Sequence, residues 1–227
     1  MEQKVDRIIG KLKHYSNKNA LKGMASFGIE TKTALGVSIP NLRKIAKESG
    51  MDHETALLLW NTGIHEAKIL ASMIDDPALV TKEQMENWVM KFDSWDICDQ
   101  CCGNLFDRTR FAYQKAISWT GRKEEYVKRA GFVLMAALSV HNKKMSDAEF
   151  LKFLPILERE SYDERNFVKK AVNWALRQIG KRNRSLNRQA IKCAESIARK
   201  DSKSARWIAN DALRELRSAA IQKRLNG

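Results

Sequence analysis

The chain has 227 residues, 44% hydrophobic and 8% aromatic, enough apolar material for a core and too much for general disorder. Lys and Arg total 41 against 27 Asp and Glu, and the resulting net charge of +14 favours a polyanionic partner. No apolar run approaches the ~20 residues that span a membrane, and "MEQKVDRIIGKLKHY" is amphipathic and charged, unlike a signal peptide, so a cytoplasmic protein without a membrane partner is expected.

With three prolines and no strand-like alternation, the chain reads as helices separated by short turns. Val5, Ile8, Ile9 and Leu12 recur at i, i+3, i+4 and i+7 and predict an amphipathic first helix. Ser38 before "IPNLRKIAKESG" supplies a cap, a first-turn proline and a stop at Gly50. Thr81 with Gln84 and Ser146 with Glu149 have capping-box spacing, and Gly63, Gly103, Gly121 and Gly180 fall where helices should end. About a dozen helices of roughly 9 to 18 residues follow, and their short connections argue for antiparallel neighbours. "VKRAGFVLMA" (127–136) and "VKKAVNWALR" (168–177) echo each other with an offset of 41, a period that fits paired-helix solenoids. The echo places Arg129 and Lys170 on equivalent turns of successive inner helices.

Cys98 and Cys101 have CxxC spacing, which suits a redox pair or half a zinc site. No second CxxC accompanies them, and His14, His53, His65 and His141 are scattered singly, so Cys98, Cys101, Cys102 and Cys193 are expected to be core thiols and no metal is expected.

The chemistry-bearing stretches are few. In "KFDSWDICDQ" (91–100), Trp95 and Asp99 lie four apart and share one face if the segment is helical. Asp93 and Asp96 point about 80° or more away from that direction, or precede the helix. In "NWALRQIGKRNR", Trp174 and Arg177 are three apart and are followed by Lys181, Arg182 and Arg184. From Ser161 onward there are 17 Lys and Arg against 6 Asp and Glu, so most of the surplus charge sits in this part.

These segments, together with "ALGVSIPNLRKIAK", "HEAKILASMIDD", "MAALSVHNKKMSD" and "FVKKAVNWALRQIGKRN", resemble the AlkD-type DNA alkylation repair family over roughly residues 20–200. The resemblance implies an all-α, HEAT-like or armadillo-like solenoid of paired antiparallel helices with a concave basic surface, residues 1–227 forming one domain. It implies a monofunctional glycosylase that releases cationic N3- or N7-alkylpurines from double-stranded DNA, as a monomer with no obligate protein partner and no cofactor. Carried over residue by residue, Trp95 and Trp174 match the family's stacking tryptophans and Asp99 its catalytic aspartate. Arg129 and Arg177 match its DNA-contacting arginines, with Lys170, Lys181, Arg182 and Arg184 added from the basic cluster. Phe27 stands where the family commonly has tyrosine, so the ring is kept and its hydroxyl lost.

The residue types suit that reaction. Alkylation gives the purine a positive charge, and its departure leaves a cationic sugar; aromatic faces and a carboxylate stabilise both, while arginines hold phosphates. Two rival readings stay open: a non-catalytic protein that binds damaged or branched DNA, and a helical-repeat scaffold for protein partners.

Overall fold

Side-chain caps fix where several of the helices begin. The computed structural model describes residues 2–226, and no strand occurs among them. Helix α1 (Glu2–His14) buries Val5, Ile8 and Leu12, the stripe read from the sequence, with Ile9 half-buried. Asn17 caps α2 (Lys18–Ser26) by accepting the Asn19 N–H at 3.0 Å. Helix α3 (Ile39–Ser49) starts after Ser38, whose hydroxyl makes no capping hydrogen bond where one was expected, carries Pro40 in its first turn and stops at Gly50, whose φ is 69°. Asp52 accepts the Thr55 N–H to open α4 (His53–Asn61), and α5 (His65–Ile74) follows. Thr81 opens α6 (Lys82–Val89) by accepting the Gln84 N–H, but the Gln84 amide turns away to Asp75, so that box is only half made. Helix α7 (Trp95–Asn104) and a 3-10 turn (Phe106–Arg108) complete the first part of the chain.

The second part contains α8 (Ala112–Trp119), α9 (Glu125–His141), α10 (Asp147–Leu151), α11 (Leu154–Glu160) and α12 (Asn166–Gly180). It ends with α13 (Arg184–Ala198), α14 (Lys203–Leu216) and α15 (Ala219–Asn226). Helix α10 has a full capping box, the Glu149 carboxylate accepting the Ser146 N–H at 2.8 Å. Fifteen α-helices of 5 to 17 residues therefore stand among the described residues where about a dozen were expected. The excess includes helices shorter than that expected range, such as α10 with five residues and α11 with seven.

The chain divides into two compact units, one up to Arg110 and the other from Phe111. In the first, α5 is buried on nearly all sides and packs on α3, α4 and α7. Its core includes Trp60 and Trp88 stacked with ring centroids 4.1 Å apart. In the second, α9 lies between α8 and α12, and α13 and α14 pack on α12. Connections of three to five residues join α4 to α5, α8 to α9 and α13 to α14, as antiparallel pairs require. Packing is tight at two glycines of this unit: an added Cβ would meet the Thr120 backbone nitrogen at 2.8 Å at Gly131 and the Leu216 side chain at 2.7 Å at Gly180.

Gly36 fixes the chain between α2 and α3. Its φ is 76°, and a Cβ there would sit 2.2 Å from the Asn17 carbonyl oxygen. Gly36→Ala combines left-handed strain with a backbone clash and is expected to cost about 2–3 kcal/mol. Thermal denaturation checks this; an unchanged melting temperature would mean the loop can rearrange freely.

Candidate reaction site and nucleic-acid interface

Ser94 sets the start of α7. Its backbone is extended, and its hydroxyl donates to Asp96 Oδ1 at 2.7 Å rather than capping the helix, so Trp95 becomes the first helical residue. Trp95 and Asp99 then share one helical face, both half-buried, while Ile97, Cys98, Cys101 and Cys102 enter the core. The indole Nε1–H of Trp95 donates to the Phe27 carbonyl at 3.0 Å, which fixes the ring and ties α7 to the end of α2. Phe27 itself keeps its ring 71% exposed. The first unit thus joins Phe27 to the Trp95/Asp99 face through a backbone contact, one that does not need the missing phenolic hydroxyl.

Three polar contacts beneath this face escape the sequence reading. His65 Nε2 meets Asp96 Oδ2 at 2.8 Å, inside the first unit and 31 residues away in the chain. Lys68 donates to Asp93 Oδ2 at 3.0 Å and holds its ammonium 5.9 Å from the Trp60 ring centroid. Glu66, 1% exposed, accepts the backbone N–H groups of Leu35, Gly36 and Val37 at 2.6 to 3.1 Å. His65 and Glu66 open α5, so one helix start anchors both the α2–α3 loop and the acid beside Trp95. Only the acidic–basic composition of the two segments hinted at this; no spacing rule connects positions 31 residues apart.

The His65–Asp96 pair has a pH signature. Burial opposes charge on both groups, but their mutual hydrogen bond and Coulomb attraction win: the His65 pKa is raised from 6.5 and that of Asp96 lowered from 3.8. A raised histidine pKa gives stability that is complete below 6.5 and lost as pH climbs through the folded value. A lowered carboxylate pKa gives stability that is complete above 3.8 and lost as pH falls through the folded value. The melting-temperature deficit of His65→Gln is therefore expected to be greatest between 3.8 and 6.5 and to shrink in alkaline buffer. A deficit that grows with pH would contradict the assignment.

No disulfide joins the four cysteines, and all four are buried. Burial pushes the Cys101 and Cys102 thiols well above their ordinary pKa and that of Cys193 up to about 12, which leaves them core groups rather than nucleophiles.

In the second unit, Trp174 and Arg177 lie half-buried on α12, three residues apart as read. Arg177 pairs with Asp211 at 3.0 Å and lies 3.0 Å from Glu215, and Lys181 pairs with Glu215 at 2.7 Å. Arg182 donates to the carbonyls of Ser139, Asn142 and Met145 and lies over the Phe150 ring, 4.4 Å from its centroid. Arg184 is exposed at the start of α13. Arg129 and Lys170 are each the fifth residue of their helices, so the expected equivalence of turn is met. Their environments differ: Lys170 is exposed, whereas Arg129 is 6% exposed and donates to the Phe167 carbonyl at 2.5 Å. The repeat keeps Val127/Val168 and Ala130/Ala171 in the core and spends the third position differently in each copy.

The family model described as DNA alkylation repair enzyme matches residues 8–216, running through both units. The chain belongs to the DNA alkylation repair enzyme family. A relative in Listeria innocua, the uncharacterised protein Lin0241, is 23% identical over 198 residues that cover 86% of each chain. A solved structure is similar with a TM-score of 0.77 at 18% identity, covering 92% of this chain and 94% of that one. It is described as representing a new family of proteins related to the HEAT-like repeat DNA glycosylases with affinity for branched DNA structures. The fold of this family member is accordingly an all-α, HEAT-like repeat, and among its described residues no helix is long and apolar enough to cross a membrane.

Proposed function

We propose that the protein is a monofunctional DNA glycosylase that hydrolyses the N-glycosidic bond of cationic N3- and N7-alkylpurines in duplex DNA, acting as a cytoplasmic monomer. The observation that carries this reading is the Trp95/Asp99 face at the start of α7, its indole held by the Phe27 carbonyl. An alkylated purine is already a good leaving group, so catalysis needs stabilised positive charge and an oriented water rather than a Lewis acid. A cation near a tryptophan face gains ~0.5–2 kcal/mol, and a carboxylate aimed at developing charge adds ~3–4 kcal/mol. Asp99 supplies the carboxylate and Trp95 the ring.

Lys170 and Arg184, both exposed, and Arg177 and Lys181, both part-exposed, are the cations we assign to phosphates. Arg129 and Arg182 hold the protein's own carbonyls, so we assign them to fixing α9 against α12 and to the 139–145 loop. Lys68 is occupied by Asp93 and lies near the Lys91 carbonyl, which argues against a Schiff-base lyase step.

Lesion charge is the expected basis of selectivity. A neutral base leaves poorly and needs a general acid to protonate it. Asp93 is held by Lys68 and Asp96 by His65 and Ser94, so neither is placed as that acid. Purified protein should release 7-methylguanine and 3-methyladenine but neither uracil nor hypoxanthine; efficient release of the neutral bases would overturn the reading. A second reading, non-catalytic recognition of branched DNA, is favoured by the description of the structural neighbour. DNA binding without release of any base would select it.

A further inference from the structure

Helix α14 carries an exposed stripe that the reaction does not use. Lys203, Trp207, Asn210 and Arg214 recur at i, i+4, i+7 and i+11, within about 60° of one another on an ideal helix. All four are exposed, Trp207 to 41%. The opposite face of α14 buries Ser204, Ala205, Ile208, Ala209, Ala212 and Leu216, so the core does not require a tryptophan at 207. From α12, Lys169 holds its ammonium 5.5 Å from the indole centroid, and Arg214 pairs with Asp211, which also engages Arg177.

We propose that this stripe is a binding track for single-stranded DNA, Trp207 stacking on one unpaired base while Lys169, Lys203 and Arg214 neutralise the adjoining phosphates. A duplex buries the faces of its bases and offers a ring nothing to stack on; an unpaired strand offers both base faces and charge. A half-exposed ring between cations fits that occupant, and the charge surplus from Ser161 onward excludes a basic one. The stripe spans about 16 Å at ~1.5 Å per residue, room for a few nucleotides of a gap, tail or branch. The inference rests on DNA being the partner and not on base excision.

Fluorescence anisotropy of the full chain tests it, with one labelled duplex either blunt or bearing a short oligothymidine tail. The wild type should bind the tailed duplex more tightly. Trp207→Ala should weaken the tailed complex about tenfold and leave the blunt one unchanged, while Trp207→Phe keeps most of the preference. If Trp207→Ala does not fold, the Lys203→Gln/Arg214→Gln protein carries the test and should lower the salt slope for the tailed duplex only. Equal wild-type binding of the two duplexes would overturn the inference. So would a preference that survives in Trp207→Ala, or displacement of the tail by polyglutamate as readily as by oligothymidine. Loss of blunt-duplex binding with the tail preference intact would instead count against the glycosylase reading alone.

Discussion

Asp99→Asn is expected to slow base release about 10²–10³-fold, the rate equivalent of ~3–4 kcal/mol, while DNA affinity stays the same or rises slightly. The substitution keeps the shape of a half-buried side chain on α7, so the Trp95–Phe27 contact and the core face of Ile97, Cys98, Cys101 and Cys102 should be undisturbed. What it removes is the negative charge that opposes the cationic base and sugar as the bond breaks. Deleting a negative charge near phosphates cannot weaken attraction to DNA, which separates a chemical defect from a binding defect. Single-turnover kinetics beside equilibrium binding make the distinction. A variant that excises at the wild-type rate would remove Asp99 from the mechanism.

The largest stability effect is expected at Glu66→Ala. The carboxylate is 1% exposed and satisfies three consecutive backbone donors, Leu35, Gly36 and Val37. Cutting it back leaves those N–H groups unpaired beside a new void, at about 1–3 kcal/mol for each group that water fails to reach. Partial rehydration of the loop brings the expected total to roughly 3–5 kcal/mol, or about 6–20 °C in melting temperature for a chain of this size. The same loop is bound through the Asn17 N–H to the Leu35 carbonyl and through the His65 N–H to the Thr33 carbonyl. Its release should therefore loosen the segment after Phe27 and slow base release as well. A melting temperature within a degree of wild type would show that Glu66 is not the anchor.

The sequence made local features legible and long-range ones not. The Ser38-to-Gly50 helix, the Val5/Ile8/Leu12 stripe and the shared face of Trp95 and Asp99 follow from rules acting over fewer than about a dozen residues, and each is present. The half-made Thr81 box shows where such rules stop: the Gln84 amide has a buried acceptor in Asp75 that local spacing cannot anticipate. His65 and Asp96, singly unremarkable in the sequence, are joined only because α5 packs on α7. Arg182 reads as a cation for phosphate, yet tertiary packing brings three loop carbonyls and the Phe150 ring to it first. Net charge favours a polyanionic partner; it does not say which cations the fold already pairs.

The central claim is base release, and one measurement addresses it directly. Protein in excess is incubated with a duplex bearing a single N7-methylguanine, and free 7-methylguanine is quantified over time against spontaneous loss. Wild type should release the base well above that background and Asp99→Asn close to it, with both proteins bound to the duplex. Wild-type protein that binds the duplex and releases nothing above background would contradict the account.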